Sequence, residues 1–111
     1  MAVISQITLG QAQRKFTKML AKLILYIYDI GLEATLGEGY DDDNVGHMKG
    51  SLHYIRLAQD LNIFKDGIWL SKGPDMEFWL NKIHDYWDSI GGGKRIKKDL
   101  NHFSIQWKGR L

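Results

Sequence analysis

Apolar residues in this chain first recur at helical spacing. Phe16, Leu20, Leu23 and Ile27 follow one another at steps of four, three and four, which places them on one face of a helix over residues 11–30. Arg14, Lys15, Lys18 and Lys22 lie largely off that stripe. Thr8 is suited to cap the start, and Gly31, free to take positive φ, stops the helix. Beyond it the pattern becomes that of strands. Residues 32–36 read as a short strand and 57–64 as a longer one; the whole stretch SLHYIRLAQDLNIF, residues 51–64, has a strand-like look. Lys65-Asp66-Gly67 is a hairpin turn and residues 68–70 its return strand. Pro74 opens a second helix over roughly 75–90, at a position where its missing N–H does no harm. Phe78, Ile83 and Trp87 are expected to line its buried side, with Trp79 and Tyr86 beside them, and Gly91-Gly92-Gly93 ends it. Residues 102–107 form a last strand. Helix, strands, helix, strand predicts an α+β fold, a small antiparallel sheet flanked by helices.

Two stretches fall outside these elements. Residues 37–50 form a loop with glycines at 37, 39 and 46 and the acidic trio Asp41, Asp42 and Asp43. Residues 94–98 carry Lys94, Arg95, Lys97 and Lys98 and read as a basic surface loop. No repeat and no linker divides the 111 residues, so residues 1–111 are expected to form a single domain around one core.

Composition narrows the chemistry more than it narrows the partner. Fifteen basic against 13 acidic residues give a formal charge of +2, too mild a balance to argue for nucleic acid. There is no cysteine, which excludes disulfides, thiolate metal sites and cysteine nucleophiles. A transition-metal site would have to use the four histidines and the carboxylates, a set that suits zinc among several metals. The most apolar run, residues 23–28, is far short of a bilayer span, so no membrane insertion is expected. The first residues lack the pattern of a secretory signal.

Polar residues inside an apolar run ask for partners. His53 and Asp60 stand among Leu57, Ala58, Leu61, Ile63 and Phe64, and His102 begins the last strand. Two imidazoles and a carboxylate are a three-ligand zinc set with room for water at a fourth position. Asp99, three residues before His102, is of the type and in the place to serve as general base. On residue types alone the bland alternatives stand. A single histidine near a strand is usually a satisfied structural residue, and a buried aspartate can pair with a backbone N–H or an arginine.

The two motifs also resemble a family. SLHYIRLAQDLNIF followed by DLNHFSI is similar to the zinc peptidases that cut peptidoglycan peptides, the D-Ala-D-Ala carboxypeptidases and dipeptidases, and looks closest to the small phage L-alanyl-D-glutamate endopeptidases. The first motif matches at Ser51, His53, Ala58 and Asp60, the second at Asp99, His102 and Phe103. The resemblance extends over roughly residues 35–105. It implies that His53, Asp60 and His102 are zinc ligands and Asp99 the catalytic base of a metallopeptidase acting on peptidoglycan stem peptides. It further implies a protein held in the host cytoplasm until released to the wall, or carried by a virion.

The chain departs from that pattern at one place. Many relatives carry an arginine soon after a Gly-Tyr or Ala-Tyr pair, whereas Gly39-Tyr40 is followed here by Asp41. Arg56, where relatives often have glycine, and Lys49, two residues before Ser51, are the cations nearest the first motif. The departure keeps a second expectation open: a catalytically weak or inactive relative serving as a wall-binding or virion module. The remaining residues are expected to be ordinary. Asp41–Asp43 are solvated rather than a calcium site, His47 is a loop residue, His84 faces solvent, and Trp69, Trp79 and Trp87 belong to the core rather than to a glycan platform. Lys94 to Lys98 are a solvated loop, with an anionic wall polymer or nucleic acid as the rarer alternative.

Overall fold

The structure, a computed structural model, describes residues 7–40 and 51–108. Its first helix, α1, spans Leu9–Asp29. Thr8 caps it through a reciprocal box: its hydroxyl accepts the Gln11 N–H at 3.1 Å and the Gln11 side chain accepts the Thr8 N–H at 2.8 Å. At the other end Gly31 takes φ 87°. The bonds Leu32 N–H to Ile27 O and Gly31 N–H to Tyr28 O close a Schellman turn. Ala12, Phe16, Met19, Leu23 and Ile27 are buried, while Leu20 packs at the rim of the core.

Four strands follow in an antiparallel sheet: β1, Glu33–Leu36; β2, Ala58–Lys65; β3, Ile68–Trp69; and β4, His102–Ser104. β2 is the hub. One edge pairs with β1, with Glu33 opposite Phe64 and Leu36 opposite Leu61. The other edge pairs with β3 at Phe64–Trp69 and Lys65–Ile68, and with β4 from Ala58–Ser104 to Asp60–His102. Asp66 and Gly67 form the two-residue hairpin at φ 52° and 78°, as a type I′ turn requires. The expected last strand over 102–107 is continuous only from His102 to Ser104, with Trp107 in an isolated bridge beyond it. The α+β class is therefore as expected, and the described residues contain no helix long and apolar enough to cross a membrane.

Four further expectations need correcting. The stretch from Ser51 is not strand throughout. A 3₁₀ helix, Leu52–Ile55, comes first, and Arg56 in the left-handed region at φ 60° turns the chain into β2. In the second helix, α2, Gly73–Ser89, the buried stripe is Leu80, Ile83, His84 and Trp87. Phe78 lies two residues, about 200° of helix, from Leu80 and is 63% exposed. His84, one turn after Leu80, is buried rather than solvent-facing. Of the tryptophans, Trp87 is fully buried and Trp79 packs at the rim of the core, but Trp69, on the two-residue edge strand β3, is 55% exposed. Residues 41–50, and with them Asp41–Asp43, His47 and Lys49, lie outside the described residues.

α2 holds the end of the sheet. The Trp87 indole N–H donates to Ser104 O at 2.9 Å, and its ring meets Phe16 of α1 and Phe103 of β4 edge-on, at 6.0 Å in each case. Gly91 and Gly92 close α2 with a second Schellman turn, and Gly93 N–H joins the same Ser104 carbonyl at 2.7 Å. Arg95 then clasps α2 through Asp85 and Asp88, both at 2.7 Å, and through the Asn81 side chain at 2.9 Å. This takes one cation of the basic run out of the free surface.

A Cβ on Gly92 would stand 2.1–2.4 Å from atoms of the Trp87 indole. Gly92→Ala must therefore displace a buried ring that donates a hydrogen bond. The expected loss is about 2–3 kcal/mol in urea-denaturation stability. A loss below about 0.5 kcal/mol, within the range of ordinary surface substitutions, would show that the indole is not held there.

Candidate metal centre

Each side chain of the centre is placed by a different local device. Ser51 caps the 3₁₀ helix, its hydroxyl accepting the His53 N–H at 3.2 Å. Leu52 O accepts the Arg56 N–H and, at 2.9 Å, the Leu57 N–H, so the turn closes tightly before β2 begins. From α1, the Gln13 side chain donates to Ile55 O at 3.0 Å and pins the turn to the helix. His53 is thereby held at 2% exposure in a 3₁₀ turn, not in the strand. Asp60 and His102 meet because their strands pair in register. They are direct antiparallel partners, and such partners project to the same face. Phe103, the next residue, projects to the opposite face, where it joins Leu61 and Ile63 in the core.

Three donor atoms converge. His53 Nε2 stands 3.1 Å from His102 Nδ1 and 3.3 Å from Asp60 Oδ1, and His102 Nδ1 stands 3.4 Å from the same oxygen. Ligand bonds of about 2.0–2.2 Å to a tetrahedral ion hold donors roughly 3.3–3.6 Å apart, so the triangle has the size a metal ion needs. The three residues form a group that can hold a metal ion.

The protonation pattern agrees. His53 Nδ1 lies 2.7 Å from Gly39 O. A carbonyl only accepts, so Nδ1 carries the proton and Nε2 offers its lone pair to the centre. Asp60 Oδ1 is buried, and the polar groups that face it are the two imidazoles, at 3.3 and 3.4 Å. Burial alone would raise the Asp60 pKa. Hydrogen-bonding contact with His102 and His53, and their charge, outweigh it and bring the carboxyl down to about 2. Burial alone would lower His53, but Asp60 and the Gly39 carbonyl outweigh it and raise that imidazole. The centre thus attracts positive charge, whether a proton or a metal ion.

Asp99 lies in the tight turn that leads into β4. Its N–H donates to Ile96 O at 2.9 Å, and its carbonyl accepts the His102 N–H at 3.1 Å. It is exposed and, with Leu61, Ile63, Trp69, Met76 and Leu80, lines a cleft of about 160 Å³; Leu61 and Ile63 belong to the face of β2 opposite Asp60, so the structure does not bring Asp99 into the group of His53, Asp60 and His102. Arg56, the cation nearest the centre in sequence, is exposed and sets its guanidinium 4.1 Å over the Tyr40 ring.

Sequence reasoning missed His84. Its Nε2–H donates to Leu100 O at 2.8 Å, and its ring stacks on Phe103 at 4.3 Å. It thus grips the turn carrying Asp99 and the strand carrying His102. The sequence signal was its place one turn after Leu80 and beside Ile83. The Gly39 carbonyl left no signal at all, because any residue supplies one.

Compared with known proteins, the chain matches no family model, no curated protein and no solved structure.

Burial, the leading cause, lowers the His84 pKa to about 4, so the folded protein holds it neutral. The unfolded chain binds this proton below about 6.5, and the folded one only near 4. The contribution is therefore complete above pH 6.5 and is lost as pH falls from 6.5 to 4. At about 1.4 kcal/mol per unit, it is on the order of 3 kcal/mol. Urea titrations of chelator-treated protein across that window should show the decline, and His84→Gln should flatten it. An unchanged slope in the variant would assign the decline to another group.

Proposed function

We propose that this chain is a zinc peptidase that hydrolyses the stem peptides of peptidoglycan. One observation carries it: the three residues that the two motifs pick out as ligands bring their donor atoms to within 3.4 Å of one another. Two imidazoles and a carboxylate, with no thiolate, suit zinc and leave a coordination position open. Zinc held there supplies Lewis acidity, enough to make water a nucleophile at neutral pH.

The chain's own residues do the rest. His53 and His102 offer ring nitrogens, and the low pKa of Asp60 keeps its carboxylate ionised as a ligand. Asp99 takes the proton of the attacking water as the new C–O bond forms at the amide carbon. When the C–N bond breaks, Asp99 returns that proton to the leaving amine. Its place one tight turn before His102 ties base and ligand to the same piece of backbone.

A second function is favoured by the departure at Tyr40. Arg56 rests on that ring instead of an arginine following it in sequence, which suits a weakly active or inactive relative that binds wall polymer.

Zinc content by plasma spectrometry and muropeptide cleavage by mass spectrometry separate these functions. The wild type should bind about one zinc per chain and release new amino termini. His53→Ala, Asp60→Ala and His102→Ala should lose the metal and, with it, the stabilisation that zinc adds to the folded form. Asp99→Asn should keep zinc while turnover falls by about 10²–10⁴-fold. Zinc lost from Asp99→Asn would make Asp99 a ligand; full activity would place the base elsewhere. Wall binding without cleavage by zinc-loaded wild type would favour the module.

A further inference from the structure

The segment that orients His53 lies beyond the end of β1. Residues 37–40 continue along the edge of β2 as a strap, and the Gly39 carbonyl on this strap accepts from His53 Nδ1. Backbone bonds hold the near part: Gly37 N–H to Asp60 O at 2.8 Å and Asp60 N–H to Glu38 O at 2.7 Å. A side chain adds to this hold and backs the far part by contact. The Gln59 carboxamide donates to Gly37 O at 3.1 Å and to Asp60 O at 2.9 Å, straddling strap and strand. Gly39 rests against the same carboxamide so closely that a Cβ would stand 2.6 Å from Gln59 Oε1.

We propose that Gln59 is a positioning residue of the metal centre: its carboxamide clips the 37–40 strap to β2, so that the Gly39 carbonyl fixes the His53 tautomer with Nε2 aimed at the metal. This rests on the proposal that the centre holds a metal ion. The physical need is general. A ligating imidazole is oriented by whatever its other nitrogen bonds to, and loss of such a partner typically weakens metal binding by about 10–100-fold. Here that partner is a backbone carbonyl, which no substitution can delete. The residue controlling its position becomes the point at which the centre can be tuned. Gln59 touches none of the reacting groups and acts only through the strap.

The test uses Gln59→Met, which keeps length and volume without the donor, and Gly39→Ala, whose Cβ pushes the carboxamide aside while leaving Gln59 in place. Imidazole ¹⁵N shifts of chelator-treated protein report the tautomer, and competition with a chelator reports zinc affinity. Amide spectra of the two helices confirm that the fold is kept. Wild-type His53 should show the Nδ1–H tautomer alone. Both variants should show a mixture, with zinc bound about 10- to 100-fold more weakly. A pure Nδ1–H tautomer in Gln59→Met, with affinity within about twofold of wild type, would overturn the role of Gln59. If wild type binds no zinc while the variants still lose the tautomer, the metal proposal fails and the clip stands.

Discussion

The pairing of β2 with β4 is the constraint from which the rest follows. It places Asp60 directly opposite His102, and direct opposition puts both side chains on one face. A slip of one residue would send His102 to the core face and Phe103 to the metal face. That alternative would bury an imidazole among Leu61, Ile63 and Trp87 and expose an aromatic ring. The hydrophobic pattern of β4 therefore enforces the register that brings the candidate ligands together. Core and metal centre are two readings of the same alternation.

So short a strand cannot hold its register alone. β4 spans three residues, and α2 supplies what its own ladder lacks. His84 bonds to Leu100 O, Trp87 bonds to Ser104 O, and both rings pack on Phe103 between them. Gly93 adds a second donor at Ser104 O, which only a residue without Cβ can deliver so closely. α2 is thus a brace against which β4 is set, and the centre inherits its rigidity. On the opposite side the 3₁₀ turn is anchored to α1 through Gln13. Each ligand is backed by an element packed in the common core.

The centre concentrates electrostatic demand in a small volume. Two imidazole nitrogens and a carboxylate oxygen converge within 3.4 Å of one another, a cluster that favours an added positive charge. The raised pKa of His53 and the lowered one of Asp60 are both responses to that demand. His84 shows the opposite solution a short distance away: burial without an acidic partner keeps it neutral. Two imidazoles within one core are therefore tuned in opposite directions by what faces them.

Features of the chain that depend on near neighbours were legible in the sequence. The Thr8 cap, the Gly31 stop, the Asp66-Gly67 hairpin and the Pro74 start are decided within a few residues, and helical or strand periodicity identified most of the core. The candidate ligands were singled out by the resemblance of two short motifs; residue types alone left a structural role for each of them open. Tertiary structure decided the rest. Strand register sets Asp60 against His102, and the 3₁₀ turn packed beside it brings His53 to His102 across 49 residues of chain. Only the packing of α2 against β4 shows that His84 lies inside and Phe78 outside. The 3₁₀ turn at His53 is a matter of how Ser51 and Arg56 close the chain against β2, which strand-like composition concealed. The Gly39 carbonyl that sets the tautomer is backbone, common to every residue, and becomes specific only through where the fold puts it.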